Sequence, residues 1–151
     1  MFMGGIMKKG YFYIFFLFIL MGCAGSSTIT SQYRLRILQA SFENVFESTV
    51  DYLEERGFVI RKADLTFGTI ETDFREGAGW AGRSMADKRA KVAAKVTKVS
   101  ENEVKLTLKI ISEERSEMTG WFQVEMSVGK EQIYYKNYFT GIERRIKSRG
   151  T

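Results

Sequence analysis

The chain has 151 residues, with a single cysteine and neither histidine nor proline. Without histidine it lacks the usual general base and the commonest metal ligand, and a single cysteine excludes an internal disulfide and a cysteine-rich metal site. Lysine and arginine outnumber aspartate and glutamate by 23 to 18, a mild excess that is a weak argument for nucleic-acid binding.

Residues 1–22 have the layout of a secretory signal that ends at the only cysteine. Two lysines precede an uncharged apolar run, Tyr11–Met21, which is shorter than the roughly 20 apolar residues that a membrane-spanning helix needs. Directly before Cys23 stand three residues that resemble a bacterial lipobox: Leu20, Met21 and Gly22. The resemblance implies cleavage before Cys23, a diacylglyceryl group on its thiol and acylation of its new amino group. The alternative is an ordinary signal peptide, or a short membrane anchor, that contains a cysteine by chance.

Cleavage at that point would leave residues 23–151, which is enough for one domain. The net charge would fall from +5 to +3, because residues 1–22 carry two lysines and no acidic residue. Residues 23–31 are small and mostly polar and predict a tether before a single domain at 32–149. The eight residues after Cys23 span at most about 28 Å when extended, so the domain would stay close to the membrane. By analogy with bacterial lipoproteins, Ala24 after the cysteine favours the outer membrane, with the domain facing the periplasm.

The domain begins with a short ambiguous segment followed by a clear helix. Residues 33–38 fit either a strand or the lead-in to a helix. Apolar residues then recur at helical spacing from Phe42 to Leu53. Ser41 is a suitable N-cap and Gly57 a suitable C′ residue, so the sequence predicts a helix over Ser41–Arg56.

Two strands and a glycine-rich loop are predicted next. The β-rich run Phe58–Ile60 and the alternating segment Thr66–Phe74 indicate strands, with a bulge or bend at Gly68. The segment Gly77–Gly82 contains Trp80 and is rich in glycine. It lacks the spacing and the lysine of a phosphate-binding loop, which favours a mobile connection over a nucleotide site.

The segment Met85–Val99 fits both a helix and a strand, since its apolar residues satisfy either period. Val104–Ile110 alternates strictly and predicts a strand, and the turn at residues 100–102 favours a strand partner on the other side. We therefore predict a hairpin. Its inward face is made of six apolar residues: Val92, Ala94, Val96, Leu106, Leu108 and Ile110.

The C-terminal third predicts a charged connection over Glu113–Glu117, a last strand within Trp121–Val128 and a helix from Lys130 onward. Arginine and lysine near the end of that helix suit its dipole. Its predicted apolar stripe is Ile133, Tyr135, Tyr138, Phe139, Ile142 and Ile146.

This order of elements resembles the helix-grip architecture, an α+β fold in which an N-terminal and a C-terminal helix cover one face of an antiparallel sheet of about four to five strands. Three segments are similar to small bacterial outer-membrane lipoproteins with helix-grip domains, the BamC-like lipoproteins: Val50–Phe58, Gly68–Thr72 and Ile133–Ile142. The resemblance covers most of the mature chain and implies the fold and the location, without a catalytic residue.

The outward face of the hairpin collects five cations: Arg89, Lys91, Lys95, Lys105 and Lys109. They fit a solvated sheet surface that resists edge pairing, or a cationic patch facing lipid phosphates or an acidic envelope protein. Trp80 and Trp121 are candidate partner anchors, and packing in or near the core is favoured for Trp121. Glu71 and Asp73 are spaced as an acid–base pair, but nearby lysines favour surface ion pairing.

These observations favour a non-catalytic, lipid-anchored envelope lipoprotein, an accessory or scaffolding domain that binds another envelope protein. They call for no metal, cofactor or nucleic acid. The alternative is a carrier that holds a lipid or small ligand between the sheet and the C-terminal helix. Large side chains available to fill that space argue against a roomy cavity.

Overall fold

A computed structural model describes residues 32–77 and 87–150. The predicted signal, lipobox and Cys23, Trp80 and most of its glycine-rich loop, and the first residues of the ambiguous segment lie outside these ranges. A 3₁₀ turn at Gln32–Arg34 opens the described chain, and two helices follow, α1 (Phe42–Glu55) and α2 (Val128–Arg149). The strands are β1 (Leu35–Leu38), β2 (Ile60–Asp64), β3 (Thr69–Thr72), β4 (Arg75–Glu76), β5 (Lys88–Lys98), β6 (Val104–Ser116) and β7 (Gly120–Gln123).

The described strands form one antiparallel sheet whose main path runs β1-β6-β5-β3-β2. Two short strands extend it, since β4 pairs with β5 and β7 pairs with β6. The α+β class, the antiparallel sheet and the two helices agree with the sequence prediction. The sheet has seven strands rather than four to five, because the ambiguous segment at residues 33–38 forms β1 and the two-residue strand β4 was not predicted.

Both ends of α1 form as their residues predict. The Ser41 hydroxyl accepts a hydrogen bond from the Asn44 backbone N–H at 3.3 Å, which satisfies one free donor of the first turn. Gly57 has a φ of +80°, and the Phe58 N–H donates to the Leu53 carbonyl at 3.0 Å. This is the Schellman ending, in which a left-handed residue lets the chain fold back over the last turn.

The ambiguous segment is a strand, β5, where the structure describes it. It pairs with β6 from Lys88 opposite Glu114 to Lys98 opposite Val104. The prediction of a charged connection over Glu113–Glu117 is wrong, because β6 continues to Ser116. Opposite charges across the two strands explain the difference, since they neutralise a segment that looks too charged for a strand.

Three element boundaries also differ from the sequence prediction. The strand expected at Phe58–Ile60 begins at Ile60, because Phe58 is a buried anchor and Val59 is 67% exposed. Gly68 provides the predicted bend with a φ of +61°, and β3 begins after it. The last strand is only Gly120–Gln123, and the following residues lead into α2.

The apolar stripe of α2 is correct except at Ile133, which is 64% exposed. Ile133 and Tyr135 are two residues apart and therefore point to different sides of a helix. Tyr134 takes the buried place instead, because it lies one turn from Tyr138 on the face that packs against the sheet and α1.

Both helices pack on the same face of the sheet and enclose one hydrophobic core. The hairpin contributes the six inward residues that the alternation predicted, each of them buried. The helices cross closely at Gly141, where an added Cβ would lie 2.1 Å from the Tyr52 ring. The opposite face of the sheet is covered by no described element. It is called the open face below.

Candidate binding surface

The open face is built from alternate residues of β5 and β6, because successive side chains of a strand point to opposite sides. The register places Lys95 opposite Thr107, Thr97 opposite Lys105, and Ala93 opposite Lys109. All five predicted cations lie on this face, because they alternate along the two strands with the residues that are buried on the other face. The structure therefore gathers Arg89, Lys91, Lys95, Lys105 and Lys109 on one side of the domain.

Four of these five cations form no ion pair with a described side chain, and two of the four, Lys105 and Lys109, also make no described side-chain hydrogen bond or ring contact. Neither Lys105 nor Lys109 forms an ion pair with another described side chain. Lys95 is held differently, since its Nζ donates to the Phe67 carbonyl at 2.5 Å. Lys91 lies over the Phe74 ring, with Nζ 4.7 Å from the centroid. Lys105 and Lys109 are thus the cations best able to contact a partner.

Arg89 lies on the same face but is already engaged. Its guanidinium forms an ion pair with Glu113 at 2.6 Å, and both side chains are less than a quarter exposed. The same group lies 4.3 Å from the ring centroids of both Phe74 and Trp121. Such contacts favour the cation at the ring faces, so this cluster stabilises the far end of the hairpin.

Glu71, a member of the candidate acid–base pair with Asp73, is held in an ion pair with Arg61. Glu71 accepts a hydrogen bond from Arg61 at 2.5 Å, which holds the pKa of the Glu71 carboxyl below its ordinary value, and the charge of Arg61 lowers it further. A catalytic acid needs a carboxyl with a raised pKa. Glu71 is therefore a surface ion-pair partner, as the nearby cations predicted.

Some members of the surface were missed and others fall outside the description. Lys62 pairs with Glu71 across β2 and β3 and so shares the open face. It was missed because the predicted strand ends at Ile60, whereas β2 continues to Asp64. Phe74 was not recognised as the partner of Arg89, although its position at the end of an alternating segment is a usable signal. Trp121 is half-buried beside Arg89, as expected for packing. Trp80, Cys23 and the lipobox residues lie outside the described ranges.

The space between the sheet and α2 is filled by aromatic side chains. Tyr135, Tyr138 and Phe139 are each at most 2% exposed. The Tyr135 hydroxyl accepts a hydrogen bond from the Ile110 backbone N–H at 3.0 Å, and burial raises the pKa of both tyrosine hydroxyls. This packing gives no support to a ligand carrier that would use this space.

A surface groove of about 620 Å³ runs between the two helices. Tyr52, Arg56 and Arg144 line it, together with Arg145 and Glu55, which form an ion pair at 2.6 Å. Within residues 32–77 and 87–150, no group of three metal-ligating side chains occurs, and no helix is long and apolar enough to span a membrane.

Comparison with protein-family models finds no match for this chain, and comparison with curated proteins finds no significant match either. The function is therefore inferred from the open face and from the N-terminal sequence pattern.

Proposed function

We propose that this protein is a lipid-anchored, non-catalytic envelope lipoprotein whose domain binds another envelope protein through the open face. The observation that carries this proposal is the position of Lys105 and Lys109. Both stand on a sheet face that no described element covers, and neither is neutralised by a described carboxylate. The complementary partner is a protein with an acidic surface.

The chemistry of this face supports binding rather than catalysis. The chain contains no histidine, and its one cysteine is the proposed lipid site. The carboxylates of Glu71 and Glu113 on this face are held in ion pairs with arginine. Of the five hairpin cations, those that remain without a described side-chain contact are Lys105 and Lys109, which would steer an acidic partner and discriminate against a basic one.

Anchoring at Cys23 would strengthen such an interaction by location. A domain held by lipid shares a thin layer with other envelope proteins, and a high local concentration raises the occupancy of a weak contact. The lipobox-like residues before Cys23 support this anchor, and Ala24 supports the outer membrane as its place. The helix-grip fold and the similarity to BamC-like lipoproteins are consistent with a scaffolding role at the periplasmic side.

The anchor is tested on Cys23 itself. Mass spectrometry of the membrane-extracted protein should find an N-terminal cysteine carrying diacylglyceryl and an amide-linked acyl chain. A Cys23→Ser variant should be exported and folded but should fail to complement a deletion. An intact, unmodified segment 1–22, or full complementation by the serine variant, would contradict the anchoring part of the proposal.

The open face is tested with a double charge reversal, Lys105→Glu with Lys109→Glu. These two positions are preferred because Lys91 and Lys95 contact Phe74 and the Phe67 carbonyl, so changing them would disturb local structure. The matched control is Lys98→Glu with Lys147→Glu, which makes the same charge change at exposed sites off this face. The first variant should lose co-purifying envelope protein from detergent extracts and the control should keep it. Equal recovery from both variants would return the open face to an ordinary solvated surface.

A further inference from the structure

Four large apolar side chains are exposed around the start of α2 and the β6–β7 turn. Their exposed fractions are 94% for Met118, 45% for Phe122, 56% for Val128 and 64% for Ile133. Leu65, Phe67 and Val99 are also exposed toward the β5–β6 turn at the opposite end of the hairpin, so exposure alone does not select this end, which is selected by where the chain enters the domain. The four residues Met118, Phe122, Val128 and Ile133 are called the entry-end patch.

The chain enters the domain beside this patch. Arg34, in the 3₁₀ turn that opens the described chain, forms an ion pair with Glu131 at 2.7 Å, and the Glu131 side chain is only 7% exposed. The Arg34 guanidinium also lies 5.9 Å from the Tyr135 ring centroid. Glu131 stands between Val128 and Ile133, so the entry point is fixed within about one or two helical turns of both.

The direction of the chain leads to the same end. β1 is antiparallel to β6, with Leu35 opposite Thr107 and Leu38 opposite Val104. The residues before Leu35 therefore approach from the side of the C-terminal half of β6. That half ends at Ser116, two residues before Met118 and four before the start of β7.

We propose that the entry-end patch lies in the interfacial layer of the bilayer that holds Cys23. This inference rests on the lipid anchor of the proposed function. The occupant is a lipid surface because the eight residues between Cys23 and the 3₁₀ turn span at most about 28 Å, which keeps this end of the domain near the headgroups. Methionine, phenylalanine and isoleucine side chains gain free energy when they leave water for that layer.

The contact is apolar rather than electrostatic. Arg115 and Lys130 stand close to the patch in the sequence, but Glu117 and Glu125 balance them. Binding should therefore be insensitive to salt and to the fraction of anionic lipid, unlike a polybasic membrane site.

This placement also bears on the open face. With the entry end at the bilayer, β5 and β6 extend away from it, and β6 alone reaches about 40 Å at the usual strand rise. The open face then stands upright and is presented to a neighbouring protein rather than pressed onto headgroups.

Site-directed spin labelling tests this orientation, because acylation of Cys23 leaves an introduced cysteine as the only free thiol. Labels are placed at Met118→Cys and Ile133→Cys, with Val59→Cys and Phe67→Cys as exposed controls at 67% and 68%. Each purified lipoprotein is reconstituted into vesicles of phosphatidylethanolamine and phosphatidylglycerol, and separately into phosphatidylcholine vesicles. The readout is collision with oxygen, which enriches in lipid, against collision with a water-soluble nickel chelate.

The labels at Met118 and Ile133 should show an oxygen-to-nickel ratio several times that of the two controls, in both kinds of vesicle. An aqueous ratio at all four positions in protein whose Cys23 is acylated would overturn the inference and leave the anchor standing, and it would point to a protein as the occupant of the patch. An elevated ratio only in anionic vesicles would overturn the apolar contact. Unmodified Cys23 would overturn the anchor and the inference together.

Discussion

The two faces of the β5–β6 hairpin are built from alternate residues of the same strands. They differ in burial and in whether their side chains have partners. On the inward face Leu106 and Leu108 are fully buried under the helices. On the open face their neighbours Lys105 and Lys109 face solvent, without a described carboxylate partner. Stability and the proposed function are therefore carried by adjacent residues and should respond to mutation separately.

The same contrast holds along the length of the hairpin. At the end of the hairpin away from the β5–β6 turn, Arg89 on the open face forms an ion pair with Glu113 and contacts the rings of Phe74 and Trp121. Nearer the β5–β6 turn the open face holds single lysines. Arg89, which is ion-paired and stacked on aromatic rings, stabilises the fold. Lys105 and Lys109 have neither kind of contact with the described residues and are available to a partner.

The largest expected effect compares adjacent residues of β6. Leu108→Ala should lower the free energy of unfolding by about 2–5 kcal/mol, because it removes buried methyl groups and leaves a cavity. Lys109→Ala should change it by less than about 0.5 kcal/mol, because the side chain is exposed. Urea unfolding followed by circular dichroism measures both. Similar losses at the two positions would mean that burial is not one-sided.

A second comparison tests how tightly the covered side is closed. Gly141→Ala should destabilise the protein by about 1–3 kcal/mol, because the added Cβ meets the Tyr52 ring and forces the helices apart. Gly129→Ala is the control in the same helix, with no atom within 4 Å of the added Cβ. It should be neutral or stabilising by up to about 1 kcal/mol. A tolerated Gly141→Ala would show that the helix crossing is looser than described.

Charges can be compared in the same way on the two sides of the sheet. Arg34→Ala should lower the free energy of unfolding by about 1–3 kcal/mol, since it leaves the buried Glu131 carboxylate without its partner. Arg61→Ala removes an exposed ion pair with Glu71 and should have little effect on stability. Thermal and urea unfolding of both variants measure these changes in the free energy of unfolding. Equal losses would contradict the difference in burial.

The smallest expected effect concerns the dependence of stability on pH in the acid range, through the pKa of Glu71. Arg61 lowers the pKa of Glu71 through a hydrogen bond and its charge. A carboxyl with a lowered pKa in the folded state adds stability above its unfolded pKa and loses it as the pH falls through the folded value. Arg61→Gln should raise the pKa of Glu71, measured by NMR titration of the side-chain carboxyl. An unchanged titration would place Arg61 away from Glu71 in solution.

Local signals in the sequence were sufficient to predict much of the fold. Ser41 and Gly57 mark the ends of α1 because capping depends on nearby backbone groups. The strict alternation of Val104–Ile110 fixed both the strand and its faces, and those faces assigned the five cations correctly to one side.

The errors came from interactions between residues far apart in the sequence. The extension of β6 past Glu113 depends on Arg89 and Lys88 across the hairpin. The role of Arg89 depends on Phe74 and Trp121, which the sequence alone does not bring together. The ion pair between Arg34 and Glu131 joins residues that are 97 positions apart in the sequence. Ile133 is exposed, contrary to the predicted stripe, because residues two apart in a helix, such as Ile133 and Tyr135, point to different sides.

The central claim, that one face of the hairpin builds the core and the other meets a partner, is tested most directly by photo-crosslinking in living cells. A photoreactive amino acid is introduced at Thr97, Thr107 or Lys109 on the open face, and at the exposed helix positions Glu54 and Lys147 as controls. The open-face positions should each yield a crosslink to the same acidic envelope protein, and the helix positions should yield none to it. Crosslinks to that protein from the helix positions alone, or no crosslink from any open-face position, would contradict the claim.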